Sequence, residues 1–370
     1  MTTTPLRRVK PILLDCIIFC LLLLTVAFSK NASQGAALGL KRCAETLVPS
    51  LFPFMALCIF SIQSGFAKRV GKWLAPITRA LFYLPSCAGT TILIGLVGGY
   101  PVGARSISSL LDAGQINREQ ARRMLCFCVG AGPAFVISAV GVAMLHSLTA
   151  GMLLFGIQAG CALLLGIILG LRARWKKVPL KEPDSAKDTE KVPMAEALVR
   201  SVEDAATSTL VMCAFVILFS AFLGVLSQLG VPALLHTPAA QAVYQLFFEV
   251  TAGVSAACLA GDSALFLIAL ALGWAGMCVH FQIFSSLPNL KIPFGAFYLS
   301  RLCHGLAAAF ATLLLFSCLP DVVADVFGPV MPPPEGQLYS NLPFGLSLLF
   351  MCGLFLLCLP KKGMEFPDEA

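Results

Sequence analysis

The stretch best suited to ligand binding is 98–105, with the sequence Gly-Gly-Tyr-Pro-Val-Gly-Ala-Arg. Glycine pairs and proline break a helix, and backbone groups freed inside a bilayer must face protein, water or a ligand. A helix that starts near Pro101 would point its N–H groups and positive dipole end into that space. Arg105, one turn further on, would add a charge that suits an anionic solute. The alternative is a packing kink with an arginine that reaches the membrane surface.

Two further interruptions carry glycine, proline or polar residues. Gly132 and Pro133 form a second break, which is either a simple kink or part of the same site. The third break follows Gly276, where His280 and Gln282 lie two residues apart. In a helix such residues point to different faces, but both can reach a cavity from unwound backbone. The alternative for His280 is a hydrogen-bonded packing residue.

Glu249 is a carboxylate within an apolar run, followed closely by Thr251. A buried carboxylate is costly in a membrane and usually marks a transport pathway or an ion pair. Glu249 would take up H⁺ or coordinate Na⁺, with Arg301 as a partner. If the run instead begins at a membrane boundary, Glu249 is interfacial. The predicted substrate site therefore comprises Gly98, Gly99, Tyr100, Pro101, Gly103, Arg105, Gly132, Pro133, Glu249, Thr251, Gly276, His280 and Gln282.

Several function classes find no support in the sequence. It contains no P-loop, HExxH or GxSxG motif, so we predict no enzymatic activity and no cofactor beyond a coupling ion. Most of the 15 cysteines lie in apolar runs, and Cys126 and Cys128 point to different sides of a helix. We therefore predict neither a metal site nor disulfides. The basic residues lie in short loops without interleaved aromatics, which argues against nucleic-acid binding.

The composition identifies the elements that position these residues. Of 370 residues, 58% are hydrophobic and 12% are charged, and the mean hydropathy is +0.86. Several apolar runs reach the ~20 residues needed to cross a bilayer. Only helices satisfy the backbone inside such runs. We predict an all-α polytopic protein of the cell membrane, with about 8–10 transmembrane or re-entrant helices. Its partners would be the lipid bilayer and a small-molecule substrate, and the sequence indicates no oligomeric state.

Charge and hydropathy divide the chain into five parts. We predict a signal-anchor helix and loop (1–43), a first repeat (44–171), a cytoplasmic linker (172–200), a second repeat (201–319), and an acidic loop with a last helix (320–370). The net charge of +7 concentrates in loops, as the positive-inside rule expects of cytoplasmic segments.

Local signals refine this outline. Asn117 and Gln120 have the spacing of a capping box, and Ser201 followed by acidic residues suits a helix start. A basic loop is expected at 68–79, and one span at about 241–260.

Three matches between the halves share one offset of 177 residues. Gly99 corresponds to Gly276, the run 108–110 to 285–287, and 125–126 to 302–303. In the first half, a basic loop precedes the broken helices, which indicates that the chain enters them from the cytoplasm. In the second half, the preceding loop has no lysine or arginine, which indicates entry from the outside. This difference predicts an inverted repeat, a common plan for transporters. Strict inversion would place the acidic 320–342 loop in the cytoplasm and Lys361-Lys362 outside. Both placements conflict with the positive-inside rule.

These motifs resemble those of the YlbJ/SpoVV-type sporulation integral membrane proteins, which carry a nucleoside-recognition (Gate) domain. Gly98 to Arg105 resembles the family motif G-[YN]-P-x-G-A-[KR]. Supporting matches are 47–54, 114–116, 132–137, 249–253 and 276–282, so the resemblance spans about 45–315.

The resemblance implies a function. It implies two Gate-like repeats and transport of dipicolinic acid across the outer forespore membrane during sporulation. A nucleoside or another carboxylate is the alternative substrate. A different class of function, a membrane scaffold for spore assembly without a substrate, stays open, as does a weaker alternative, an intramembrane enzyme.

Overall fold

The computed structural model describes residues 6–180 and 193–327, and every regular element in these ranges is a helix. The α-helices are α1 (Leu6–Ala27), α2 (Ser29–Arg42), α3 (Val48–Gln63), α4 (Phe66–Ile77), α5 (Ala88–Asp112), α6 (Arg118–Leu125), α7 (Leu148–Trp175), α8 (Met194–Gln228), α9 (Pro238–Phe248), α10 (Val250–Ala257), α11 (Ala264–Trp274), α12 (Gly276–Ser285), α13 (Phe294–Ser317) and α14 (Pro320–Phe327). Wider π-helical turns occupy Cys43–Leu47, Thr78–Phe82 and Ala134–Met144, and 3₁₀ turns occupy Val231–Leu234 and Gly261–Ser263.

Five helical segments of the described chain are long and apolar enough to cross a membrane. They are Ser29–Gln63, Leu148–Trp175, Met194–Gln228, Gly261–Ser285 and Phe294–Ser317. Large apolar side chains on their outer faces are exposed, among them Leu164, Leu218 and Phe310. Such faces suit contact with lipid, which confirms the predicted all-α polytopic membrane class. The predicted last span lies outside the described residues.

Helices α2 and α3 form one long segment that runs antiparallel to α8. The Asn31 amide donates to Gln228 at one end (3.1 Å), and the Gln63 amide donates to Asp204 at the other (2.9 Å). A side chain at Gly35 would collide with the α8 backbone, so glycine permits the close approach. Residues before the predicted second span, which we expected to be a loop, are therefore helical because they pack along α8.

Two local predictions have opposite outcomes. The capping box is confirmed, since the Asn117 side chain accepts from the Gln120 backbone and the Gln120 side chain accepts from the Asn117 backbone, each at 2.8 Å. The prediction that Ser201 caps the following helix is wrong, because α8 already begins at Met194. Ser201 lies inside this helix and donates to the Ala197 carbonyl oxygen. The acidic residues after Ser201 therefore lie in the helix interior.

The expected basic loop at 68–79 is largely the helix α4. Phe66, Trp73 and Ile77 are exposed on it beside the exposed side chains of Arg69 and Lys72. Large apolar residues flanked by basic ones are typical of a helix that lies in the membrane interface.

Helices α9 and α10 form a tight hairpin where we expected one continuous span. The backbone is extended at Glu249 (φ −144°, ψ 123°), which ends α9 and begins α10. A side chain at Gly253 would collide with the backbone of Leu246, so the chain folds back on itself at Glu249. Residues near both outer ends, Pro238 and Leu259, line one surface pocket. The two outer ends of the hairpin therefore lie close together, on the same side of the molecule.

Candidate functional site

The first two helix breaks cross each other backbone to backbone. Helix α5 is interrupted at Gly99, whose φ of 80° and ψ of −174° are open to glycine and strained for other residues. A Cβ at Gly132 would lie 2.9 Å from the Gly99 nitrogen and from the Val97 carbonyl oxygen. Glycine at 132 therefore allows the segment after α6 to touch the break in α5.

The other two breaks form a second crossing. Ala275 (φ 75°) and Gly276 (φ 77°) separate α11 from α12. A Cβ at Gly276 would lie 3.1 Å from the Val250 nitrogen and 3.2 Å from the Glu249 nitrogen. The tip of the α9–α10 hairpin therefore rests against the break between α11 and α12.

The two crossings border one small, partly open cavity. Eight of the predicted site residues line it: Gly98, Gly99, Tyr100, Pro101, Gly132, Glu249, Thr251 and Gln282. Gly276 packs against the backbone of Glu249 and does not itself line the cavity. The sequence reasoning missed the apolar side of the cavity, which consists of Leu47, Leu51, Met55, Phe135, Met212, Val216, Val250 and Val279. Their spacing matches that of any apolar membrane helix, so no signal distinguished them.

Glu249 is completely buried at the hairpin tip. Its carboxylate accepts hydrogen bonds from the backbone N–H groups of Thr251 (2.8 Å) and Ala252 (2.6 Å) at the start of α10. A helix N-terminus stabilises a negative charge through these N–H groups and through its dipole. The charge of Glu249 is thus held by backbone at the edge of the cavity.

The expected pairing of Glu249 with Arg301 is not found. The Arg301 guanidinium donates to the carbonyl oxygens of Val129 and, at 2.8 Å, of Cys126. These carbonyls lie just beyond the C-terminal end of α6. The two buried charges are each stabilised by the end of a helix instead of by each other.

Two other polar groups face the cavity with weak or no hydrogen bonds. The Thr251 hydroxyl is buried and has no partner. The Gln282 amide donates to the sulfur of Cys278 at 3.3 Å, and a thiol is a weak acceptor. The Thr251 hydroxyl therefore has unused hydrogen-bonding capacity in a residue that lines the cavity. Among the residues that the structure describes, no three His, Cys, Asp or Glu side chains cluster as metal ligands.

Tyr100 and His280 hydrogen bond to backbone carbonyl oxygens at the break between α11 and α12. Because α11 ends at Trp274, its last carbonyl oxygens lack helical donors. The Tyr100 hydroxyl donates to the Leu272 oxygen (2.6 Å), and His280 Nε2 lies 2.7 Å from the Trp274 oxygen. The His280 ring is fully buried, and its centroid lies 4.7 Å from the centroid of the Trp274 ring. His280 thus stabilises the break and does not line the cavity.

Three more predicted site residues, besides His280, do not line the cavity. Arg105 lies 4.0 Å from the Asp204 carboxylate and donates to the Asp204 carbonyl oxygen at 3.3 Å. Gly103 packs against the carbonyl of Cys128, where a Cβ would collide. Pro133 lies directly before the π-helical segment Ala134–Met144. The structure therefore places these residues around the breaks, with Arg105 partly exposed about two turns before the end of α5.

One curated protein resembles this chain over most of its length. The sporulation integral membrane protein YlbJ of Bacillus subtilis (strain 168) is 26% identical over 345 residues, which cover 85% of each chain. No protein-family model matches the sequence. No solved structure matches it either.

Proposed function

We propose that this chain, a YlbJ-type multi-pass integral membrane protein, transports a small anionic solute that binds in the cavity between the four helix breaks. The observation that carries the proposal is the pairwise meeting of Gly99 with Gly132 and of Gly276 with Glu249 around that cavity. Broken helices at bilayer depth are tolerated where they are buried or line a cavity, and transporters use them to bind substrates.

We propose dipicolinic acid as the solute, moved across the outer forespore membrane during sporulation. The name of the Bacillus subtilis relative supports a role in sporulation. The mainly apolar cavity, with the unpartnered Thr251 hydroxyl and the weakly bonded Gln282 amide among its lining, suits a planar ring with a few polar substituents. A nucleoside or a different carboxylate is the alternative, since these features also fit other small rings.

We propose Glu249 as the residue that couples transport to H⁺ or Na⁺. It is the buried carboxylate of the cavity, and a proton or a cation bound there would compete with the N–H groups of Thr251 and Ala252. Glu249→Gln should abolish uptake while the protein still inserts into the membrane, because the amide cannot carry the charge. Normal uptake by this variant would contradict the coupling role.

Binding to the purified protein tests the proposed function. Calorimetry would compare dipicolinate, adenosine and uridine. Saturable dipicolinate binding supports the proposal, and binding of a nucleoside keeps the site and changes the substrate. Chemical conversion of any of the three would indicate an intramembrane enzyme. Folded protein that binds none of them would favour the scaffold.

A further inference from the structure

Helix α4 exposes apolar and basic side chains together. Phe66, Trp73 and Ile77 recur at helical spacing and are exposed, Trp73 to 83%. Arg69 and Lys72 are also exposed, and the Arg69 guanidinium lies 6.0 Å from the centre of the Phe66 ring. A helix of this composition lies in the membrane interface, where its apolar side chains enter the acyl region and its cations meet the lipid headgroups.

The C-terminal end of α7 has the same composition. Trp175 is 86% exposed, and the exposed residues Arg172, Lys176 and Lys177 flank it. Because α7 is long and apolar enough to cross the membrane, its end reaches the headgroup region. Tryptophan is enriched at that depth, and basic residues there contact lipid headgroups.

Direct contacts join these two segments. Arg174, next to Trp175, donates to the carbonyl oxygens of Arg79 (3.3 Å) and Ala80 (2.8 Å) in the π-helical turn that follows α4. A Cβ at Gly170 would lie 2.7 Å from the Leu81 carbonyl oxygen, so the end of α7 packs closely against the same turn. Helix α4 and the end of α7 therefore form one surface. We call it the basic interfacial surface, and its exposed residues are Arg69, Lys72, Trp73, Arg172, Trp175, Lys176 and Lys177.

The sequence that forms this surface is free of acidic residues. None occurs between Glu45 and Asp112, and none between Glu119 and Glu182. The two segments therefore contribute exposed cations and no carboxylate of their own. Such a cluster attracts negatively charged headgroups, and salt weakens the attraction.

We propose that the basic interfacial surface binds phospholipids with a negatively charged headgroup in preference to zwitterionic ones. Such a lipid matches the surface in two ways. Its acyl chains lie along the exposed tryptophans, and its headgroup supplies the negative charge that the two segments lack. The inference concerns a surface outside the cavity and does not rest on the proposed transport function.

Quenching of tryptophan fluorescence by lipids with brominated acyl chains tests the inference, because bromine quenches the tryptophans that the acyl chains contact. The chain has three tryptophans, and Trp274 is half-buried against His280. In a Trp175→Phe protein, Trp73 therefore reports the lipid beside α4, and Trp73→Phe/Trp175→Phe measures the background. The reconstituted Trp175→Phe protein should prefer brominated phosphatidylglycerol to brominated phosphatidylcholine by about threefold or more, and high salt should reduce the preference.

Matched variants locate the effect. Arg69→Gln/Lys72→Gln, in the same Trp175→Phe background, should lose most of the preference. Lys30→Gln/Lys41→Gln removes two charges from α2 instead and should keep it. All four side chains are exposed, so neither pair of substitutions disturbs the core. Equal quenching by the two lipids without these substitutions would overturn the inference, as would a preference that Arg69→Gln/Lys72→Gln retains in full.

Discussion

Gly99 and Gly132 hold two stretches of backbone closer together than a side chain would allow. A Cβ at Gly132 would lie 2.9 Å from two backbone atoms, which cannot move as a flexible side chain can. Gly130, two residues earlier in the same segment, has nothing within 4 Å of its own Cβ position. The requirement for glycine is thus a property of one position and not of the segment.

We expect Gly132→Ala to separate the first crossing and to weaken solute binding strongly. Overpacking of this kind costs about 1–3 kcal/mol, so the apparent melting temperature should also fall by several degrees. Gly130→Ala is the matched control and should change the melting temperature little. Calorimetric binding and thermal unfolding of the purified variants measure both effects. Equal behaviour of the two variants would contradict the proposed crossing.

His280 provides a second test at the scale of one residue. Its ring hydrogen bonds to the Trp274 carbonyl and lies among aromatic rings, away from the cavity. His280→Phe keeps the aromatic packing and leaves that carbonyl without its donor. We expect a loss of stability of about 1–3 kcal/mol with solute affinity unchanged. A large loss of affinity at unchanged stability would instead place His280 in the binding site, as its sequence position suggested.

At the scale of the element, local signals and tertiary packing differ in what they reveal. The capping box at Asn117 could be predicted because both partners lie within one turn. The fold-back at Glu249 could not, since an apolar run has the same composition whether it crosses a membrane or turns within it. What the sequence did provide was the carboxylate itself, which marks the tip of the hairpin.

The hairpin predicts the topology of its two ends. Cysteines introduced at the exposed positions His236 and Asp262, in a background without other reactive cysteines, should be labelled from the same side of the membrane. A membrane-impermeant maleimide applied to oriented vesicles measures this. Labelling from opposite sides would mean that 238–257 crosses the membrane once, and would contradict the hairpin.

At the scale of the whole molecule, the predicted repeat stays a prediction, although one pair of its corresponding positions shares a backbone feature. Gly99 and Gly276, separated by the predicted offset, are both breaks with positive φ. The inverted arrangement itself stays a prediction, as does the division into domains.

The placement of the charges shows why the site could be predicted only in part. Breaks are encoded by glycine and proline, so about half of the residues that line the cavity could be found from the sequence. The position of a charge depends on which helices pack together. Arg105 was therefore predicted to be the cation of the site, although it lies beside Asp204. Arg301, predicted as the partner of Glu249, donates instead to carbonyl oxygens of the segment after α6.

Uptake of radiolabelled dipicolinate into proteoliposomes tests the central claim most directly, that the cavity between the breaks is a transport site. Wild-type protein should give saturable uptake above empty liposomes, and unlabelled dipicolinate should compete. Gly132→Ala should lose this uptake while Gly130→Ala keeps it. Correctly inserted wild-type protein that gives no uptake, or uptake that Gly132→Ala retains in full, would contradict the account.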